Sequence, residues 1–281
     1  MAGNKVIFEV ATELEMNGRQ LKALKPDKDG IYKGIPLTVI GQKSRNNVYY
    51  DPQSVIQCMT DPNSRFVMNL KSGDLEGEWG HPLLSSKDPN EIVGRLLYLD
   101  RKCVSHHFTR VYAEDIGGGK YIVYGDVKPS GPYGKTLSEN FQDPTRNVSF
   151  SLRSATTITG QRDGVTFKKM LVLFTFDAVD GPGYAEACKR YQHAGVEGLE
   201  TSFGDDGACV EYSASKKDFL SALESFKLAG HESKIVDQRI LDVFGCDEVV
   251  VKDRVLRRIG PSGYANPDGT RVSLFDHAFG F

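Results

Sequence analysis

The feature that most limits the fold of this chain is an apolar segment from Met170 to Phe176, the longest apolar stretch in the sequence. It is far too short to span a membrane, which takes roughly 18 or more apolar residues, but it has the length of a buried β-strand. The strand pattern extends back to Thr166 and is rich in Val, Leu and Phe. We therefore predict that this part of the chain forms a mainly β domain.

Other segments fit that prediction. Apolar alternation and β-branched residues predict strands, and a triple glycine at 117–119 predicts a hairpin turn between two of them. The segment 91–97 fits a helix and a strand equally well. The predicted strands are 5–11, 36–41, 103–112, 120–127, 147–153 and 166–176, and the predicted helices are 52–59 and 135–141.

The character of the sequence changes near residue 192. A stretch rich in Gly and acidic residues, 193–208, is typical of a linker. Beyond it, 215–229 and 234–244 have helical apolar periodicity, and each pattern stops at a glycine. We therefore predict one domain over 1–192 and a smaller, mainly helical region over 193–281.

Composition excludes several classes of function. The chain has 281 residues, 40% apolar and 26% charged, with a net charge of −2, so no basic surface points to nucleic acid. Its five cysteines include no CxxC pair, which argues against a zinc ribbon or a redox motif. The first residues form no signal peptide. We expect an intracellular protein with reduced thiols and without a metal or cofactor.

The strand at 147–153 carries chemistry on one of its faces. Side chains alternate along a strand, so Ser149, Ser151 and Arg153 share one face. The opposite face is apolar and is expected to enter the core; it consists of Val148, Phe150 and Leu152. Two hydroxyls beside a guanidinium are typical either of a plain solvated face or of a cleft that holds a nucleophile.

Two further residues have side chains suited to support a nucleophile. His81 lies between Gly80 and Pro82, and a restricted backbone suits a fixed general base. Asp177 ends the long apolar strand, where a carboxylate in a partly buried place needs a partner such as an imidazole N–H. Each residue alone fits an ordinary turn or strand end equally well.

Taken together, four short segments in this order resemble the prohead core protein proteases of large tailed phages. The resemblance covers roughly 75–180. The segments are 77–82 (GEWGHP), 104–106 (VSH), 151–153 (SLR) and 177–179 (DAV). It departs from the family in two respects. Ser154 stands where a glycine often follows the arginine, and the spacing of 70 residues between His81 and Ser151 is long for the family.

The resemblance implies a fold like that of herpesvirus assemblin, an α+β protein with a mostly antiparallel β-barrel flanked by helices. It implies a serine endopeptidase in which Ser151 is the nucleophile, His81 the general base and Asp177 the group that orients His81. Ser149 lies on the same strand face as Ser151 and stays open as an alternative nucleophile. We prefer Ser151 because an arginine follows it two residues later.

Two supporting residues remain open at this stage. Arg153 either holds a water at the oxyanion or forms a salt bridge under the active site. His106 either supports the site or is a plain surface histidine on its strand. Its neighbour His107 is expected to face the other way.

The resemblance also implies substrates and a setting. Such proteases cleave phage head, core and scaffold proteins after glutamate, inside the prohead in the host cytoplasm. Arg101, Lys102 and Arg110 are candidates to bind the glutamate side chain. The linker contains fitting sites at Glu197 and Glu200, so we hypothesise that the protein cleaves itself there and detaches the C-terminal region. Self-association is a further hypothesis.

Two other functions are compatible with these residues. A metal-dependent hydrolase would need His81, His106 and His107 in one site, but adjacent strand histidines face opposite ways and no HExxH spacing is present. A non-enzymatic prohead core or scaffold protein on a protease-like fold would share the segments but would cut nothing.

Overall fold

The computed structural model describes residues 6–11, 23–44, 47–82, 94–179, 189, 209–214, 240, 248–251, 254–258, 264–265 and 271–272. For the strands at 6–11 and beyond 208, only the backbone is described. Glu197, Glu200 and nearly all of the two predicted C-terminal helices lie outside the described residues. None of the described helices is long and apolar enough to cross a membrane.

The first large sheet contains the strands predicted to carry the chemistry. It consists of β1 (Val6–Ala11), β3 (Val48–Tyr50), β7 (Ser149–Arg162), β8 (Val165–Val179) and β9 (Cys209–Ala214). Their order across the sheet is β3-β8-β7-β1-β9, with β3 parallel to β8 and the other pairs antiparallel. β7 and β8 are therefore hydrogen-bonded neighbours that form one long hairpin.

The second large sheet has four strands. It consists of β2 (Tyr32–Ile40), β4 (Glu76–Glu78), β5 (Val104–Gly117) and β6 (Lys120–Pro129), in the order β2-β6-β5-β4. The predicted glycine turn between β5 and β6 is confirmed, since Gly118 and Gly119 have φ values of +65° and +75°. Such left-handed conformations carry no steric cost for glycine. A separate small sheet contains β10 (Glu248–Val251), β11 (Arg254–Arg258), β12 (Tyr264–Ala265) and β13 (Arg271–Val272).

Three helices of eight or nine residues accompany the sheets in the described part of the chain, and each has a local reason to begin or end where it does. α1 (Pro52–Thr60) begins where the Asp51 side chain accepts a hydrogen bond from the Ser54 N–H, 3.0 Å away. α2 (Arg65–Ser72) ends at a left-handed glycine. α3 (Gly134–Gln142) stops before Asp143-Pro144, as the sequence predicted.

The core lies between the two large sheets. The three apolar side chains of β7 and its flank that were predicted to point inward are all buried in it, which confirms that prediction: Val148, Phe150 and Leu152. The ring of Phe108 on β5 meets Phe176 on β8 edge to face, with centroids 6.1 Å apart. Each such aromatic ring contributes roughly 1.5–3 kcal/mol by burial, so the core fixes which face of the β7–β8 hairpin points away from it.

Two features differ from the sequence-based expectation. The predicted α+β class with mostly antiparallel strands is confirmed, but in the part of the chain described the sheets are open and form no closed barrel. Asp177 does not end its strand; β8 continues to Val179 because Ala178 still packs in the core. Beyond residue 208 the described residues are those of β9 to β13 and helical, buried Ile240, and β9 joins the sheet of β7. The predicted domain boundary at 192 and the mainly helical C-terminal region remain predictions.

Candidate active site

The β7–β8 hairpin places the predicted nucleophile opposite the predicted acid. Ser151 and Asp177 are directly paired residues of the two antiparallel strands. Directly opposed residues point to the same face, with Cα atoms about 4.5–5.5 Å apart. Ser149 instead pairs with Val179 and is fully buried, whereas Ser151 is 5% exposed. The register thus brings Ser151, rather than Ser149, beside the carboxylate.

Both carboxylate oxygens of Asp177 have partners. Oδ1 accepts a hydrogen bond from the Glu78 N–H, 2.9 Å away. Oδ2 lies 2.8 Å from both Nε and Nη2 of Arg153, and 3.8 Å from Nδ1 of His81. The structure therefore joins His81, Arg153 and Asp177 in one buried cluster.

Asp177 is ionised in this cluster despite its burial. Burial alone would raise the pKa of this carboxyl, but the guanidinium of Arg153, the ring of His81 and the Glu78 N–H together hold the pKa below its usual value. A carboxylate that keeps its charge can stabilise an imidazolium at His81.

Backbone contacts hold the segment of His81 against β8. The Trp79 N–H donates to the Cys103 carbonyl at 2.8 Å, and the Gly80 N–H donates to the Ala178 carbonyl at 2.7 Å. Gly80 has φ +78°, which lets the chain turn directly after this contact. The turn brings the His81 ring, whose side chain is 8% exposed, to Asp177.

A second layer of charge, which sequence reasoning missed, surrounds this cluster. The Glu78 carboxylate is buried and contacts Nη1 of both Arg95 (2.7 Å) and Arg153 (3.3 Å) through Oε1. The same oxygen accepts the Asp100 N–H at 2.7 Å. Glu78 stands three residues before His81 in the motif, which was the available signal. Nothing in the sequence pattern pointed to Arg95.

His106 is not the surface histidine that one sequence-based reading allowed. Its ring is fully buried and packs edge-on against Phe108 and Phe150. Nε2 lies 3.1 Å from the Phe176 carbonyl, which can only accept, so Nε2 carries the proton. Nδ1 then accepts from the Ser105 hydroxyl at 2.8 Å. His106 thereby links β5 to β8 directly beside Asp177.

We predict that His106 makes stability depend on pH. Burial lowers the pKa of His106 to about 4, while the unfolded chain titrates near 6.5. Between these values the unfolded state binds a proton that the folded state does not, so stability is lost as pH falls from 6.5 towards 4, by roughly 3 kcal/mol in all. In urea unfolding between pH 6.5 and 4, the unfolding free energy of His106→Gln should fall by roughly 3 kcal/mol less than that of wild type. The half-buried His107 provides the control His107→Gln, and parallel losses in all three proteins would contradict the prediction.

Gly77 permits the close approach of β4 to this histidine. A Cβ at this position would lie 2.2 Å from the Phe176 carbonyl oxygen and 2.4 Å from Nε2 of His106. Neither atom belongs to a flexible side-chain end, so the strands would have to separate. We predict that Gly77→Ala lowers the free energy of unfolding by about 1–3 kcal/mol. Gly160→Ala, where a Cβ meets nothing within 4 Å, should change it by less than about 0.5 kcal/mol. Equal effects in denaturant titrations would rule out this explanation.

Other predicted residues are not brought into the cluster. Arg101, Lys102 and Arg110 are exposed, so they do not line a buried pocket for a glutamate side chain. Arg101 pairs with Glu76 at the surface. His107 contacts the Ser130 hydroxyl at 3.2 Å, away from the ring of His106. Within the described ranges, no group of three or more His, Cys, Asp and Glu side chains is arranged to hold a metal ion.

Several known proteins are similar to this chain. The model of the peptidase S80 family matches residues 11–238. The capsid maturation protease of Pseudomonas phage phiKZ is 28% identical over 186 residues, which are 63% of this chain and 67% of that protein. A solved structure of the capsid assembly protease of bacteriophage T4 matches with a TM-score of 0.42 and 18% identity, over 63% of this chain and 98% of that one. The family match includes every residue of the cluster around Asp177.

Proposed function

The chain belongs to the peptidase S80 family, and from this membership we propose that it is a serine endopeptidase with Ser151 as nucleophile, His81 as general base and Asp177 as the orienting acid. One observation carries the assignment of residues. Asp177 contacts His81 and is paired with Ser151 on the adjacent strand. These two contacts support nucleophilic activation of Ser151, which requires an imidazole that is oriented by a carboxylate and lies within hydrogen-bond reach of the hydroxyl.

The chemistry follows from which ring nitrogen faces Asp177. Nδ1 of His81 is directed at the carboxylate, so Nε2 remains to take the Ser151 proton. As Oγ bonds to the scissile carbonyl carbon, that proton passes to Nε2 and the carbonyl electrons move to the oxygen. The tetrahedral intermediate then expels the amine, which receives the proton from His81, and a water hydrolyses the acyl-enzyme by the same route.

The contacts of Arg153 favour one of its two open roles. Its side chain is almost fully buried and is directed at Asp177 and Glu78. We assign it to the salt bridge under the active site instead of to a water at the oxyanion. Backbone N–H groups near Ser151 remain the candidates to stabilise the oxyanion, where losing one donor typically costs on the order of 10²–10³ in rate.

The proposed biological role is maturation of the phage head. The phiKZ relative is named a capsid maturation protease, which supports head, core and scaffold proteins as substrates of this chain. The role places the enzyme within the assembling prohead in the host. Cleavage after glutamate remains part of the proposal, with the glutamate-binding group still to be found.

Labelling with a serine-reactive phosphonate tests the proposed function without a known substrate. The reagent should modify one residue, and peptide mapping should identify it as Ser151. A matched Ser149→Ala variant should be labelled like wild type, and prior alkylation of the imidazoles should block the reaction. Labelling at Ser149, or no labelling of folded protein, would contradict the assignment of Ser151 as the nucleophile.

Self-cleavage in the linker is a further part of this proposal. Because β9 pairs with β1 along its whole length, we expect that cutting after Glu197 or Glu200 leaves β9 bound until that pairing opens. Intact-mass analysis under denaturing conditions should show fragments ending at these glutamates in wild type. The fragments should be absent from Glu197→Gln/Glu200→Gln. An active preparation that never yields either fragment would contradict self-cleavage at these sites.

A further inference from the structure

The buried side of the site contains four charged groups of balanced sign. Two are the carboxylates of Glu78 on β4 and Asp177 on β8. The other two are the guanidinium groups of Arg95, on a helical turn at 94–97, and Arg153 on β7. Buried charges persist only when they are paired, because removal from water is costly for each of them. Arg95 does not contact Ser151, His81 or Asp177. The pair that it forms with Glu78 therefore needs an explanation of its own.

The central feature is that Arg153 and His81 share one oxygen. Oδ2 of Asp177 lies 2.8 Å from two nitrogens of Arg153 but 3.8 Å from Nδ1 of His81. The guanidinium contact is within hydrogen-bonding distance, whereas the imidazole contact is longer than a hydrogen bond. To orient His81 during catalysis, Oδ2 of Asp177 must move closer to Nδ1 of His81, which weakens its contact with Arg153.

Glu78 provides the opposing attraction. Its Oε1 lies 3.3 Å from both Nη1 and Nη2 of Arg153, whereas Asp177 contacts Nε and Nη2. Oε1 is fixed in turn by Nη1 of Arg95 and by the Asp100 N–H. The backbone N–H of Glu78 also holds Oδ1 of Asp177. Glu78 therefore influences both the orientation of the Asp177 carboxylate, through its N–H, and the attraction of Arg153 to Asp177, through its own carboxylate.

We propose that Glu78 is a positioning residue that, by pairing with Arg153, leaves Oδ2 of Asp177 available to His81. This inference rests on the proposed function and deepens it. Arg95 anchors Glu78 from outside, and Arg153 transmits the effect. Without the negative charge of Glu78, Arg153 has Asp177 as its remaining anionic partner in this cluster, and the contact between Asp177 and His81 weakens.

Phosphonylation kinetics of the full chain test this proposal directly. Glu78→Gln keeps the side-chain shape and the acceptor for the Asp100 N–H but removes the charge. We expect the limiting rate of Ser151 modification to fall about 10- to 100-fold, the range found when partners behind functional ligands are lost. The half-saturating concentration should stay constant, because the buried Glu78 does not touch the reagent. The matched control is Glu76→Gln on the same strand, whose carboxylate pairs with Arg101 at the surface; it should react at the wild-type rate.

A second variant separates positioning from a merely structural role. In Glu78→Gln/Arg153→Gln the competitor for Oδ2 is removed as well, so the rate should recover at least several-fold over Glu78→Gln. The double variant loses one positive and one negative group together, which a buried pair tolerates better than the loss of one partner. If Glu78→Gln does not fold, the double variant is therefore still expected to fold and to react with the phosphonate. In the phosphonylated proteins, the downfield proton resonance of His81 Nδ1–H should be present in wild type and weakened in Glu78→Gln.

The outcomes distinguish this proposal from the proposed function. Wild-type protein that is not labelled at Ser151 removes the proposed function itself. Labelled wild type with an unchanged rate and resonance in Glu78→Gln overturns the role of Glu78 alone. A double variant as slow as or slower than Glu78→Gln also overturns it, because the effect would then not pass through Arg153.

Discussion

Replacing Ser151 with alanine is expected to abolish proteolysis, lowering kcat by on the order of 10⁶, as loss of a serine nucleophile does in a triad whose members act as a unit. The fold should be unaffected, because Ser151 lies on the face of β7 opposite the apolar side chains and alanine fits the same space. The measurement is cleavage of a synthetic peptide with the sequence of residues 192–203, together with phosphonate labelling of the same preparation.

Ser149→Ala is the matched control for this result. Ser149 lies two residues away on the same face but is paired with Val179, and its hydroxyl is 3.4 Å from the Asn147 amide. Its loss should leave kcat within about threefold of wild type and cost at most about 1 kcal/mol of stability, the worth of one neutral hydrogen bond. If Ser149→Ala is the inactive variant, the nucleophile has been assigned two residues away from its true position.

The second large effect is expected for Asp177→Asn. The amide keeps the size of the side chain but cannot stabilise an imidazolium, and it favours the wrong tautomer of His81. The same change in a serine protease triad lowers kcat by about 10⁴. KM should change little, because Asp177 is fully buried and does not meet substrate. Steady-state kinetics, normalised to the folded fraction from circular dichroism, would measure this without interference from unfolded protein.

Asp177→Asn should also destabilise the fold. The change leaves the buried Arg153 with one carboxylate fewer, and breaking a buried ion pair from one side typically costs 3–5 kcal/mol. Asp51→Asn is the control, since it removes a carboxylate that caps α1 away from the site: it should change stability by less than about 0.5 kcal/mol, because Asn caps a helix about as well as Asp, and it should leave kcat unchanged. Full activity in correctly folded Asp177→Asn would remove Asp177 from the proposed triad.

The pKa of Asp177 adds a pH dependence to this comparison. The folded-state value lies below the usual value, so the carboxylate contributes stability above its unfolded pKa of about 3.9, and this contribution is lost as pH falls through the folded pKa. The contribution of His106 is lost at higher pH, between 6.5 and about 4. The difference in unfolding free energy from wild type should therefore change with pH in different ranges for Asp177→Asn and for His106→Gln.

Local sequence determined much of the scaffold. Alternation in 147–153 placed three apolar side chains in the core, and it put Ser149, Ser151 and Arg153 on the other face. The glycines before Lys120 and the Asp-Pro step after Gln142 marked a turn and a helix end. Glycine adopts the left-handed conformations that a tight turn needs, and the residue before a proline is disfavoured in the helical region, whatever surrounds them. Motif order further allowed Ser151, His81 and Asp177 to be named together as a hypothesis.

Only the tertiary structure decided how those residues meet. The pairing of Ser151 with Asp177 depends on the register of the β7–β8 hairpin, which shifts at several irregularities along its length and which side-chain alternation within one strand does not determine. The buried network of Glu78, Arg95 and Arg153 depends on β4 crossing to β8, and no local propensity encodes such a crossing. The sheets stayed open where a barrel was expected, because closure depends on strand tilt and register across the whole sheet. Side-chain alternation is a property of one strand, whereas charge pairing in a core depends on several elements at once.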